Sequence, residues 1–146
     1  MSMLVRQVLS AKGSGNVATI DRDMTVAEAA RQLSSRKIGC LVVSADGRKL
    51  DGILSERDIV REIGRQGPRC LEASVRSMMT TKVVICAPGD EGVVILSRMT
   101  EGRFRHMPVL EDGAMVGLIS IGDMVKARLS ELSMEKEALE GMIMGY

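Results

Sequence analysis

Apolar and polar positions in this chain switch between a two-residue and a near-four-residue period, and the whole sequence of switches occurs twice. The segment from Val5 to Gly64 and the segment from Val75 to Leu129 follow one plan. Each opens with a short amphipathic turn led by Val-Arg, VRQVLS from Val5 and VRSMMT from Val75. A β-branched run follows, Val17-Ala18-Thr19-Ile20 in one copy and Val83-Val84-Ile85-Cys86 in the other, and each predicts a strand. Apolar residues then recur with helical spacing at Val26, Ala29, Ala30 and Leu33. Their counterparts Gly92, Ile95, Leu96 and Met99 keep that period except at the glycine.

A second strand is expected in each copy, Ile38-Gly39-Cys40-Leu41-Val42-Val43 and Phe104-Arg105-His106-Met107-Pro108-Val109. Both run into a hairpin signal, Asp46-Gly47 and Asp112-Gly113, and return through Gly52-Ile53-Leu54 and Gly117-Leu118-Ile119. A helix then opens at Ser55 and at Ser120. The order is strand, helix, strand, strand, helix, twice. The first copy carries extra residues around Gly13-Ser14-Gly15-Asn16, read as a longer loop, and Arg65-Gln66-Gly67-Pro68-Arg69 separates the copies. The division expected is residues 1–68 and 69–146. A repeat of roughly sixty residues is marginal alone, so the two should pack their sheets together into one pseudo-symmetric body.

Beyond the second copy the helical pattern continues through Val125, Leu129, Leu132, Leu139 and Ile143, spaced 4, 3, 7 and 4, with Lys136 at the skipped place. Two readings fit: a long helix packed on its own domain, or a helix that pairs with its counterpart in a homodimer.

Composition narrows the chemistry. Lys plus Arg number 20 against 19 Asp plus Glu, a net charge of +1, which argues against a domain built to grip a nucleic-acid backbone. Phe104 and Tyr146 are the only aromatic residues, too few to stack single-stranded bases. Cys40, Cys70 and Cys86 form no C-x-x-C pair, and His106 is the only histidine, so no zinc site assembles and no metal is expected. Any histidine-based catalysis would run through His106 alone, with no partner identified by spacing. Unpaired cysteines suit a reducing compartment, and neither a signal peptide nor a membrane span is visible, so the expected location is the cytosol.

The segments Gly52-Ile53-Leu54-Ser55-Glu56-Arg57-Asp58 and Gly117-Leu118-Ile119-Ser120-Ile121-Gly122-Asp123 share the pattern glycine, two apolar residues, serine, two of any kind, aspartate. Serine followed three residues later by an acid is a capping box, which needs no ligand. The same set can also serve one. A helix start offers free N–H groups to a phosphate, the serine hydroxyl could share it, and the aspartate could accept both hydroxyls of a ribose. Gly52 and Gly117 would let a ligand approach the backbone. Arg57, Arg103, Arg105 and His106 add positive charge, although each arginine is as readily a solvated surface group and His106 as readily a packing residue.

On these residues the sequence resembles a tandem cystathionine β-synthase (CBS) domain pair, or Bateman module, over about residues 4 to 129, with nothing left over for a catalytic domain. The resemblance implies a mixed α/β (α+β) fold of two pseudo-symmetric β-α-β-β-α repeats packed sheet to sheet, here with an extended C-terminal helix. It implies a non-enzymatic regulatory module of the energy-sensing kind. Its ligands would be adenosine-containing (AMP, ADP, ATP, NAD(H) or S-adenosylmethionine), bound in clefts between the repeats. By the same resemblance Ser55 and Ser120 contact phosphate, and Asp58 and Asp123 hold ribose. The adenine would lie near Thr19, Ile20, Cys40, Leu41, Ile85, Cys86, Met107 and Pro108, held mainly by backbone groups. Cys40 and Cys86 also read as plain packing residues.

The second site is expected to be the tighter: Arg105 and His106 stand beside Met107-Pro108 and Lys82 just before the first strand, whereas Gly39, Cys40 and Val42 of the first copy include no basic residue, and Arg57 could reach across. The family commonly forms homodimers shaped as flat discs, and the signal would pass to a regulated protein. The competing expectation is a dimerising adaptor whose clefts stay empty. A small enzyme is the least favoured reading.

Overall fold

The computed structural model describes residues 3–13 and 17–144. Of the loop expected at Gly13-Ser14-Gly15-Asn16, only Gly13 falls within them. The helices are α1 (Val5–Lys12), α2 (Val26–Arg36), α3 (Glu56–Gln66), α4 (Val75–Met78), α5 (Gly92–Gly102) and α6 (Ile121–Met144), and a 3-10 turn covers Pro68–Glu72. The strands are β1 (Thr19–Ile20), β2 (Cys40–Val43), β3 (Gly52–Ser55), β4 (His106–Glu111) and β5 (Ala114–Ser120). This is a mixed α/β fold with small sheets and a long C-terminal helix.

Contacts divide the chain into two compact units, and these do not follow the repeats in order. Unit 1 comprises Met1–Gly15, Ile85–Leu110 and Gly117–Tyr146; unit 2 comprises Asn16–Val84 and Glu111–Val116. Apart from Glu111–Val116, the hairpin tip of the second repeat that falls in unit 2, each unit holds the strands and helices of one repeat plus the lead-in helix of the other. Three backbone hydrogen bonds seat each lead-in helix. In unit 2, Val75 N–H donates to Met24 O, Arg76 N–H to Arg22 O, and Val26 N–H to Ala73 O. In unit 1 the counterparts are Val5 to Asp90, Arg6 to Pro88, and Gly92 to Met3.

The same seating accounts for the glycine that breaks the period in α5. A Cβ on Gly92 would stand 2.8 Å from Met3 O and 3.2 Å from the Met124 side chain. No larger residue fits there without displacing the lead-in segment.

In unit 2, β1 pairs parallel with β2 (Thr19 opposite Val42) and β2 pairs antiparallel with β3 (Cys40 opposite Ser55). Its core joins Ile20, Val26, Leu41, Val43, Leu54 and Val75. In unit 1 the core joins Val5, Val8, Ile95, Met107, Val109 and Ile119. Burying a side chain of this size contributes roughly 1.5–3 kcal/mol.

Unit 1 departs from expectation at residues 83–86. The strand expected there is reduced to one parallel bridge, Cys86 opposite Val109, with Val84 and Ile85 exposed. The cause lies in β4. In unit 2, Val42 N–H donates to Ala18 O and extends the parallel ladder. The residue in the place of Val42 is Pro108, which has no N–H, so Val84 O loses that partner and the ladder stops.

The seam of α6 is not packed on its own unit. Met124 is buried against the unit 1 core. Val125, Leu129, Leu132, Leu139 and Ile143 are all exposed.

Candidate functional site

The repeated serine and aspartate sit at the two strand–helix junctions, β3 to α3 and β5 to α6. In unit 2 the Ser55 hydroxyl accepts the Asp58 N–H at 3.2 Å. Asp58 Oδ2 in turn accepts the Ser55 N–H at 2.9 Å and the Ser55 hydroxyl at 3.0 Å. Asp58 Oδ1 takes the Arg61 guanidinium at 2.9 Å. Asp58 is buried. Both of its oxygens are engaged within its own helix start.

The junction in unit 1 has the same capping box and a different surrounding. The Ser120 hydroxyl accepts the Asp123 N–H at 3.0 Å, and Asp123 Oδ2 accepts the Ser120 N–H at 2.9 Å. The third partner of the box is Lys12, from α1, whose Nζ lies 2.9 Å from the same Oδ2 and donates to Leu118 O at 2.8 Å. Among the described residues nothing engages Asp123 Oδ1. Burial by itself would raise the Asp123 carboxyl. The Ser120 N–H and the Lys12 ammonium outweigh it and hold the group below its ordinary 3.8.

The two glycines do not open onto ligand space. A Cβ on Gly52 would stand 2.7 Å from Thr80 O, and one on Gly117 would stand 2.7 Å from the Leu9 side chain. Their role is to admit the lead-in segment of the other repeat, which corrects the expectation that they clear the way for a ligand.

The remaining candidates divide by burial. Ile20 and Leu41 are part of the unit 2 core and Met107 part of the unit 1 core, so only their backbone is available to a base. Cys40 and Cys86 are buried, and Pro108 with them; Thr19 and His106 are half-buried, while Ile85, Arg57, Arg103 and Arg105 are exposed. Burial pushes the Cys40 thiol up to about 12, with the Asp58 charge adding to it, and the Cys86 thiol up to about 11. Neither is a nucleophile at neutral pH. The Arg105 carbonyl accepts the Ile121 N–H at 2.8 Å, which ties the start of β4 to the start of α6 and so to Ser120.

Lys12 is a candidate that sequence reasoning missed. Its signal was present: VRQVLSAK and VRSMMTTK both end in lysine, Lys12 and Lys82. A solvent-open groove of about 230 Å³ in unit 1, lined by Met3, Val93, Leu96 and Arg128 among others, contains none of the candidate residues. Among the described residues no cluster of three or more His, Cys, Asp or Glu could hold a metal. Also among them, no helix is long and apolar enough to cross a membrane.

Comparison with known proteins fits this geometry. The CBS domain family profile matches residues 5–65 and 75–130. The mitochondrial CBS domain-containing protein CBSX3 of Arabidopsis thaliana is 33% identical over 151 residues, covering 99% of this chain and 73% of its own. The crystal structure of a CBS-domain containing protein from Agrobacterium tumefaciens is 42% identical, with a TM-score of 0.81 over 86% of this chain and 99% of its own. A CBS domain protein from Pyrobaculum aerophilum complexed with AMP has a TM-score of 0.71 over 83% of this chain and 89% of its own. At 21% identity that last likeness is one of fold.

Proposed function

The chain belongs to the CBS domain family, and from that premise we propose that it is a regulatory module that binds an adenosine-containing ligand, AMP first among the candidates. One observation carries the reading: Asp123 keeps an oxygen that no described residue engages, beside the Ser120 hydroxyl and the Lys12 ammonium. Two vicinal ribose hydroxyls are the kind of donor pair a carboxylate accepts. A phosphate suits the first N–H groups of α6, the Ser120 hydroxyl and a nearby ammonium. In this reading Asp123 holds the ribose, Ser120 and Lys12 face the phosphate, and Arg105 and His106 add positive charge. The base lies along the backbone of Ile85, Met107 and Pro108.

The counterpart set in the first repeat is Ser55, Arg57, Asp58, Thr19, Ile20, Cys40 and Leu41. It is the weaker site, because both Asp58 oxygens are already engaged. The AMP bound to the Pyrobaculum protein supports the ligand class. ADP, ATP and NAD(H) carry the same adenylate portion and stand behind AMP.

The module does no chemistry of its own. Its ligand shifts a conformational equilibrium by the difference in its affinity for two states, and a partner protein reads the shift. The three buried, unpaired cysteines support a cytosolic setting, and the exposed seam of α6 supports a homodimer.

A second reading has an observation in its favour. Both capping boxes are complete without a ligand, so serine and aspartate alone are also what a ligand-free adaptor would carry. Titration calorimetry separates the two, with AMP, ADP, ATP, NAD⁺, NADH and S-adenosylmethionine run against wild type and Asp123→Ala. The sensor reading expects saturable binding that weakens at least about 10-fold in the variant, as loss of hydrogen bonds to a charged group entails. Absence of heat with every ligand, together with an unshifted melting temperature, leaves the adaptor.

A further inference from the structure

The exposed part of α6 carries a pairing pattern. Val125, Leu129, Leu132, Leu139 and Ile143 are 44%, 63%, 44%, 60% and 84% exposed, yet they fall on one seam with alternating steps of three and four once Lys136 fills its place. A seam of that period belongs against another helix. The packed part of α6 ends near Ala127, and Glu131 and Arg128 pair beside it at 3.0 Å. The seam past that point has no cover from its own chain among the described residues.

Charge decides between the arrangements a second copy could take. In a parallel pair each core layer meets itself, so Lys136 would face its own copy. Glu135 would also lie beside the partner's Glu140, twice. An antiparallel pair centred near Met134 moves Lys136 off its own copy and reduces the two Glu135–Glu140 contacts to a single one, Glu135 beside the partner's Glu135. Leu129 then faces the partner's Leu139, Leu132 faces the partner's Lys136, and Val125 faces the partner's Ile143. The flanking positions bring Lys126 to the partner's Glu140, again twice, as opposite charges. Lys136 has its long stem on leucine and its ammonium at the rim, where it already meets Glu140 of its own helix at 3.9 Å.

We propose that α6 pairs with α6 of a second copy as an antiparallel two-stranded coil crossing near Met134. The pairing is independent of the ligand reading and would stand if no nucleotide bound.

The test uses the full chain with Leu129→Cys and Leu139→Cys as separate variants, one of them carrying a mass tag, and a short bismaleimide as crosslinker. Both positions are exposed, so folding is checked simply by circular dichroism, and the wild type, whose cysteines are buried, is the background control. In the antiparallel coil position 129 lies beside position 139 of the other copy. Like positions are about 15 Å apart along the axis at the usual helical rise, beyond the reagent's reach. The expected result is a crosslinked heterodimer in the mixture, at least ten-fold above either variant alone. Crosslinking of each variant with itself would overturn the antiparallel arrangement. No crosslinking above wild type in any sample would overturn the pairing altogether.

Discussion

The junction at Ser55 and the junction at Ser120 carry the same pattern of residues, and what separates them is the lead-in segment that each receives from the other repeat. In unit 2 the lead-in helix α4 stops at Met78, and Met79 turns extended with ψ near 150°. Thr80 then pairs with Ile53 in both directions, N–H to O at 2.9 and 3.0 Å. In unit 1 the lead-in helix α1 runs on to Lys12, so Leu118, the counterpart of Ile53, has no such backbone partner. Its carbonyl is taken by the Lys12 ammonium, which is thereby brought to Asp123. Local propensity explains the divergence. Thr80-Thr81 is β-branched and favours extension, whereas Ser10-Ala11 lets the helix continue. Lys82, the counterpart of Lys12, is exposed and makes no ion pair among the described residues. A change of a few residues outside the motif thus leaves one carboxylate closed and the other half open.

The contrast can be strained at its backbone first. Ala at Gly52 would press a Cβ onto the Thr80 carbonyl, which belongs to a paired backbone and cannot yield cheaply, whereas Ala at Gly117 meets the flexible end of Leu9. Gly52→Ala is expected to cost about 3 kcal/mol and Gly117→Ala about 1 kcal/mol or less, read from urea unfolding midpoints. Equal costs would mean that the two lead-in segments are seated alike.

Next comes the carboxylate itself. Asp58→Ala removes a buried carboxylate that accepts three hydrogen bonds, and should cost about 2 kcal/mol in the same assay. Asp123→Ala removes a more exposed cap and should cost about 1 kcal/mol. A larger loss at Asp123 would contradict the ranking.

The acid limb of stability gives a smaller effect. Asp123 is depressed in the folded protein, so its contribution is fully present above its unfolded pKa near 3.8 and is lost as pH falls through the lower folded value. Lys12→Met removes the ammonium and should bring the carboxyl back up, which flattens stability between pH 4 and 3, on the order of the carboxylate range. An NMR titration of Asp123 in both proteins checks the direction. A group unmoved by Lys12→Met would show that the ion pair does not form in solution. Smallest is the thiol contrast: Cys40, pushed to about 12, should react more slowly with a disulfide reagent at pH 8 or so than Cys86, pushed to about 11.

Much of this fold could be read from the duplicated pattern, because hairpin turns, helix caps and apolar periods are local signals. Asp112 and Gly113 both adopt positive φ, as their hairpin requires, and Thr25 caps α2 through the Glu28 N–H at 3.1 Å. What escaped was set by partners distant in sequence. The run 83–86 has the residues of a strand, but its neighbour pairs with it only at Cys86, because the register places Pro108 where the Val84 carbonyl needs an N–H. The period break at Gly92 has its reason in the Met3 carbonyl, which lies 2.8 Å from where a Cβ would stand. Of the site, both capping boxes could be read from spacing. The inequality between them could not, because it depends on which repeat each lysine visits.

That inequality is the central claim, and counting bound AMP by equilibrium dialysis tests it directly. Wild type, Asp58→Asn and Asp123→Asn would be compared at matched concentrations, asparagine being chosen because it keeps the shape and an acceptor oxygen at each helix start. The expected result is one AMP per chain for wild type and for Asp58→Asn, and binding lost or weakened at least about 10-fold for Asp123→Asn. Two equal sites per chain, or binding lost at Asp58 and kept at Asp123, would contradict it.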